Sequence, residues 1–266
     1  MQLLSPVPPP EYIRKNIYHL HVNQEIDTIQ LSEKLTQIGY TRVPKVSVRG
    51  EFTLRGEVLD IFMPGEDTPY RILFDFDKVE KIRTFDTNTQ NTLESVSDVI
   101  IYPMKEVLWT DELVHTLEEK LGNYENTAMQ ENLEEQTIHL PLTEDARKIQ
   151  KQILEELLLN HESEGEELFY SILWDKKYCI SDYVPQNTVI FFYDYDRQNN
   201  SQESLDREYA GMYRKSRVSF PVLMPQEMLF KFSQAVSLHE KNIFYRTLHT
   251  TSDVAKENLI RIESDA

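Results

Sequence analysis

The sequence has 266 residues, 40% of them apolar and 27% charged. That balance excludes a disordered chain and leaves room for one large or two ordinary domains. Its formal charge of −17 argues against a protein that grips a nucleic-acid backbone by itself, because such binding relies on clustered Lys and Arg. No run approaches the roughly 20 apolar residues that span a bilayer. The start of the chain has neither a basic leader nor a long apolar core, so no secretory signal is expected. A single cysteine, Cys179, cannot staple a fold and reads as a buried structural thiol beside Trp174, Tyr178 and Ile180. A reducing cytoplasm is the expected location.

Residues 5–10 are too proline-rich for helix or central strand and form an extended lead-in. Residues 18–22 alternate as a short strand. Asp27 or Thr28 is placed to cap a helix whose Leu31, Leu35 and Ile38 share one face, with Gly39 as its stop. A β-rich block follows. Phe52 and Leu54 alternate with Glu51, Thr53 and Arg55, residues 58–62 make a second strand, and Gly56 marks the bend between them. Residues 63–69 are a turn. Residues 70–76 and 79–85 pair as a hairpin around Asp77 and Lys78, and residues 99–102 close the block.

After Pro103 the period changes. Thr110 caps a helix striped by Leu113, Leu117 and Leu121 and stopped by Gly122. Thr143 opens a longer helix with Ala146, Ile149, Ile153 and Leu157 on one face, ending near Asn160. A short helix covers residues 168–174. The continuous apolar run 188–193 predicts a strand buried on both faces, followed by a polar loop over 194–200. Helices near 204–212 and 226–233 and a strand near 242–248 complete an α/β pattern. Charge is uneven: residues 111–170 hold sixteen acids against four bases, whereas 29–103 hold twelve against nine. The acidic stretch reads first as a solvated face.

Catalytic chemistry finds little footing. The seven glycines are never clustered and never precede Lys-Ser or Lys-Thr, so a self-sufficient phosphate loop is missing. The run ending at Asp194 resembles an apolar strand that presents a magnesium-holding acid, but it lacks that loop. Asp75 with Asp77, and Asp194 with Asp196, are acids two apart on one strand face, a spacing hard-cation sites use with further ligands. They keep open a magnesium-dependent phosphoesterase or nuclease. His19 and His21 have strand spacing for a metal but no acid close in sequence. The binding alternative rests on parity. Tyr70, Ile72, Phe74 and Phe76 are expected to face the core, and Arg71, Leu73 and Asp75 the other side. Arg55 shares a polar face with Glu51 and Thr53. Arginines on such a face suit an interface or plain solvent, and a purely structural spacer also stays open.

The runs LTQIGYTRV at 35–43, RGEFTLRGEVLDIF at 49–62, PYRILF at 69–74 and IRTFD at 82–86 resemble the bacterial transcription-repair coupling factor (Mfd) family. More distantly they are similar to the excision-repair protein UvrB. TQNTL at 89–93 ahead of IYP at 101–103 fits the same family, and YVPQNTVIF at 183–191 is similar to its degenerate ATPase-like strand. The resemblance implies a UvrB-like amino-terminal module without working nucleotide motifs, interrupted by a small domain that binds the damage sensor UvrA. The implied fold is α/β: a small α+β docking domain with an antiparallel sheet, then a degenerate helicase-like half-domain. Residues 1–26 would lead in from a preceding domain, 27–103 would be the UvrA-binding domain, and 104–266 the second part of the degenerate domain.

The resemblance further implies recruitment of UvrA to stalled RNA polymerase without a reaction in this chain. ATP and magnesium, and contacts to RNA polymerase and DNA, would belong to motor and other domains outside it, and no membrane is involved. A carboxy-terminal domain of the full-length family protein would cover the docking surface until transcription complexes are engaged. The family's UvrA contacts are an Arg in one strand, an Arg in the next and an aromatic four residues on. The first two fall on Arg55 and Arg71. The third is Asp75, a departure that makes Leu73 the expected apolar contact.

Overall fold

The computed structural model describes residues 2–131, 140–238 and 241–244. Helix α1 (Pro10–Lys15) starts on a proline, at the position where a missing N–H costs nothing. Strand β1 (Tyr18–His21) leads to α2 (Thr28–Gln37). The Asp27 carboxylate caps α2, accepting from Ile29 N–H at 2.9 Å and Gln30 N–H at 3.0 Å. Leu31, Leu35 and Ile38 are buried, as their spacing predicts. Gly39 leaves the helix at φ +100, where a Cβ would sit 2.9 Å from the Lys105 side chain. Both conformation and space demand glycine there.

Strands β2 (Thr41–Arg42), β3 (Glu51–Arg55), β4 (Val58–Ile61), β5 (Tyr70–Asp75), β6 (Lys78–Phe85) and β7 (Thr92–Val96) form a six-stranded sheet in that order. Neighbours are antiparallel except β2 with β3. Strand β8 (Asp98–Ile101) instead returns to pair antiparallel with β1. One sheet face carries Phe52, Leu59, Ile61, Ile72, Phe74 and Ile82 against α2 and the β1–β8 pair. Each such buried side chain contributes about 1.5–3 kcal/mol, so this face dominates the stability of the first half.

The second half is built on α3 (Asp111–Glu131), α4 (Glu144–Asn160) and α5 (Tyr170–Leu173), around Trp109, Leu117, Leu157 and Phe169. The Thr143 hydroxyl caps α4, accepting from Ala146 N–H at 3.2 Å. Gly122 does not stop α3. A helical glycine costs about 1 kcal/mol, and the turn beyond it is tied down. Tyr124 Oη accepts from Met224 N–H at 3.0 Å, and Glu125 holds the buried Arg217.

The remaining elements are β9 (Ile190–Phe192), α6 (Tyr195–Ser216), α7 (Pro225–Met228), α8 (Phe232–Ser237) and β10 (Asn242–Phe244), with β9 and β10 paired in parallel. Two expectations fail here. Strand β9 is not buried on both faces: Phe192 is inside, but Phe191 is exposed, as are Val189 and Tyr193 at either end of the strand. The predicted loop at 194–200 is the start of α6. Tyr195, Leu205 and Tyr209 pack on the cluster containing Phe192 and Phe232, and that packing outweighs weak local propensity. Residues 245–248 of the predicted last strand lie outside the described residues.

The lead-in is built into this half. Phe230 N–H donates to Leu4 O at 2.8 Å, and the Tyr183 hydroxyl donates to Pro8 O at 2.7 Å. Cys179 is buried in the same cluster as Leu4, and burial pushes its thiol pKa up. No helix among the described residues is long and apolar enough to cross a membrane.

Candidate functional site

The second face of the six-stranded sheet is polar, and strand register sorts it into rows. Residues directly opposite in an antiparallel pair project to the same side. One row runs Thr53–Asp60–Arg71–Arg83–Ser95, and the next Arg55–Val58–Leu73–Lys81. Beyond the first row, Phe62 and Phe85 meet Val46 in a small buried cluster of their own. The loop carrying Val46 therefore covers one end of the face and leaves the Arg55 end open.

Arg55 and Arg71 do share this face, as parity predicts, but they are not side by side. They lie two strands apart and one row out of step, about 12 Å between Cα atoms from standard sheet spacings. Arg55 is exposed. Arg71 is pinned instead: Nε donates to Asp60 Oδ1 at 2.7 Å and Nη2 to Asp60 Oδ2 at 2.8 Å, with Gln90 Oε1 accepting from Nη2 at 3.0 Å. Its guanidinium also lies 4.4 Å from the Phe85 ring centre. The Asp60 hydrogen bonds raise the Arg71 pKa further above its ordinary value. With Asp60 buried and the Arg71 side chain only 22% exposed, this is a fixed ion pair that leaves Nη1 for other partners.

Leu73 is half-buried on the predicted face, and Asp75 is exposed at its end. Phe76 corrects the parity reading. Alternation ends with β5, and Phe76 enters the two-residue turn before Lys78 at φ +54, with 81% of its surface exposed. A bulky residue in the left-handed region is an outlier. The same turn takes Asp77 off the strand, so Asp75 and Asp77 do not share a strand face. Asp194 and Asp196 are likewise split, one preceding α6 and one in its first turn. His19 Nε2 does meet a carboxylate, Asp98 at 3.1 Å, across the β1–β8 pair. No group of three or more metal-ligating His, Cys, Asp or Glu side chains occurs among the described residues.

Sequence reasoning missed Phe76 and the directly opposed pair Arg71 and Arg83. The signal for Phe76 was the two-residue gap between the hairpin strands, which forces the residue after Asp75 out of register.

The family model "UvrB interaction domain" matches residues 18–107. The chain is 30% identical over 206 residues to a transcription-repair-coupling factor of Borreliella burgdorferi, covering 77% of this chain and 16% of that protein. To the transcription-repair-coupling factor of Bacillus subtilis it is 24% identical over 265 residues, covering 96% of this chain and 22% of the relative. It is also 42% identical over 101 residues to the UvrABC system protein B of Kosmotoga olearia, covering 38% of this chain and 15% of that one. The chain thus spans less than a quarter of the length of each of these relatives.

Proposed function

The chain is a relative of the transcription-repair-coupling factors that carries their UvrB-like region, with the UvrB interaction domain at residues 18–107, and from that premise we propose that it docks UvrA. Its role is recruitment in the cytoplasm during transcription-coupled repair, with no reaction of its own. The observation that carries this reading is the open end of the polar sheet face. There Arg55 is exposed, Leu73 stands in its row half-buried, and Phe76 projects from the adjoining turn.

Interfaces concentrate energy in arginine and aromatic anchors ringed by polar residues, and this end of the sheet supplies both. Arg55 contributes an exposed fork. Arg71, oriented by Asp60 and Gln90, offers Nη1 with little further loss of freedom. Phe76 supplies the aromatic that Asp75 does not, and Leu73 the apolar floor. Calorimetric titration of the chain with UvrA tests this. Arg55→Ala is expected to weaken binding by ~2 kcal/mol, about 30-fold. Leu73→Ala should cost less. Wild-type affinity in an Arg55→Ala, Arg71→Ala double variant would defeat the assignment. Arg71→Ala alone is a poorer probe, because it leaves the buried Asp60 carboxylate unpaired.

A further inference from the structure

Strand β6 sets Arg83 directly across from Arg71. Side chains opposed in this way stand about 5 Å apart at Cβ, where like charges repel. The one carboxylate in their row, Asp60, has both oxygens engaged by Arg71. Arg83 has no ion pair among the described residues, and its Nε is shielded from water without a hydrogen-bond partner. Buried guanidinium donors are ordinarily satisfied, so this row holds two cations and a single anion. On its other side Arg83 faces Ser95, which is exposed, so the approach from solvent is open.

We propose that Arg83 is a further docking residue and receives a carboxylate from the bound partner, an Asp or Glu side chain of UvrA. The inference rests on the docking reading above and adds the chemistry of the partner's contact. An incoming carboxylate neutralises the second cation of the row and accepts from the outer Nη groups of Arg83 in the fork geometry arginine presents. The free Nη1 of Arg71 lies beside it as a second donor. Arg83 is half-buried, so the contact would be partly screened from water. A lysine would restore the charge but not the planar fork.

The test is calorimetric titration of the full chain with UvrA at low and physiological salt, with the melting temperature of each variant measured alongside. Arg83→Ala is expected to weaken binding at least 10-fold and to flatten its salt dependence. Arg83→Glu should weaken it further, and Arg83→Lys should recover only part of the loss. The melting temperature of Arg83→Ala should stay level or rise, because its removal relieves repulsion with Arg71. Unchanged affinity in Arg83→Ala while Arg55→Ala loses binding would overturn this inference and leave the docking reading standing. A lowered melting temperature with full affinity would assign Arg83 to the fold instead. No binding by the wild-type chain would overturn both.

Discussion

The two halves of the molecule treat their sheets differently. In the first, six strands wrap a complete apolar face around α2, and the opposite face is kept polar with one row already ion-paired. In the second, among the described residues, two parallel strands carry exposed Phe191 and Ile243, with exposed Val189 and Tyr193 flanking the first of them. Parallel strands are usually buried on both faces. The first half has a core on one side of its sheet and an open polar surface on the other. The second spends its apolar residues on helices and is clamped by one buried cation.

That cation gives the largest expected effect. Arg217 is 1% exposed, pairs with Glu125, and donates to Leu140 O at 2.9 Å and to Val222 O. Arg217→Met should lower unfolding free energy by ~3–5 kcal/mol, since it removes a buried cation that pairs with Glu125 and donates to two carbonyls. Both tryptophans, Trp109 and Trp174, belong to the cluster of this half, so denaturant unfolding followed by tryptophan fluorescence reads the change. A loss below about 1 kcal/mol would break the contrast.

A smaller effect sharpens the contrast from the other side. Phe76 is both exposed and held at positive φ, two costs that packing does not repay. Phe76→Gly should leave thermal stability level or raise it by up to ~1 kcal/mol, while UvrA affinity falls about 10-fold. If stability fell with affinity, Phe76 would be serving the fold.

The smallest effect lies where the two halves meet. Partial desolvation of its carboxyl group, with Glu167 and Glu166 nearby, raises the pKa of Glu106 above its ordinary value although the residue as a whole is exposed. The folded state thus holds that proton more tightly than the unfolded state. Ionising it costs stability above the raised pKa, and the cost is gone below the unfolded one. Glu106→Gln should melt higher than wild type at neutral pH, the gap closing as pH falls into the ordinary carboxylate range.

Much of the first half was legible because its signals are local. Asp27 at a cap, Leu31 and Leu35 at helical spacing and Gly39 at the exit each state their own conformation. Arg55 and Arg71 on one face followed from period two alone. What escaped depended on contacts far apart in sequence. Strand β7 has almost nothing buried to announce it, and β8 pairs back to β1 rather than joining the main sheet. The Asp60–Arg71 pair was hidden because Asp60 looks like any polar residue in an alternating strand. Gly122 and the run after Asp194 misled for the same reason: tertiary ties through Tyr124, Glu125 and Tyr195 outweigh local helix breakers.

The proposed docking of UvrA on the first half is tested most directly by transfer of NMR saturation from UvrA to methyl groups of the chain. Attenuation is expected at Val58 and Leu73, on the polar face, with Leu59 and Ile72 of the opposite face and Val189 and Ile243 of the second half unaffected. Attenuation confined to Val189 and Ile243 would contradict that docking.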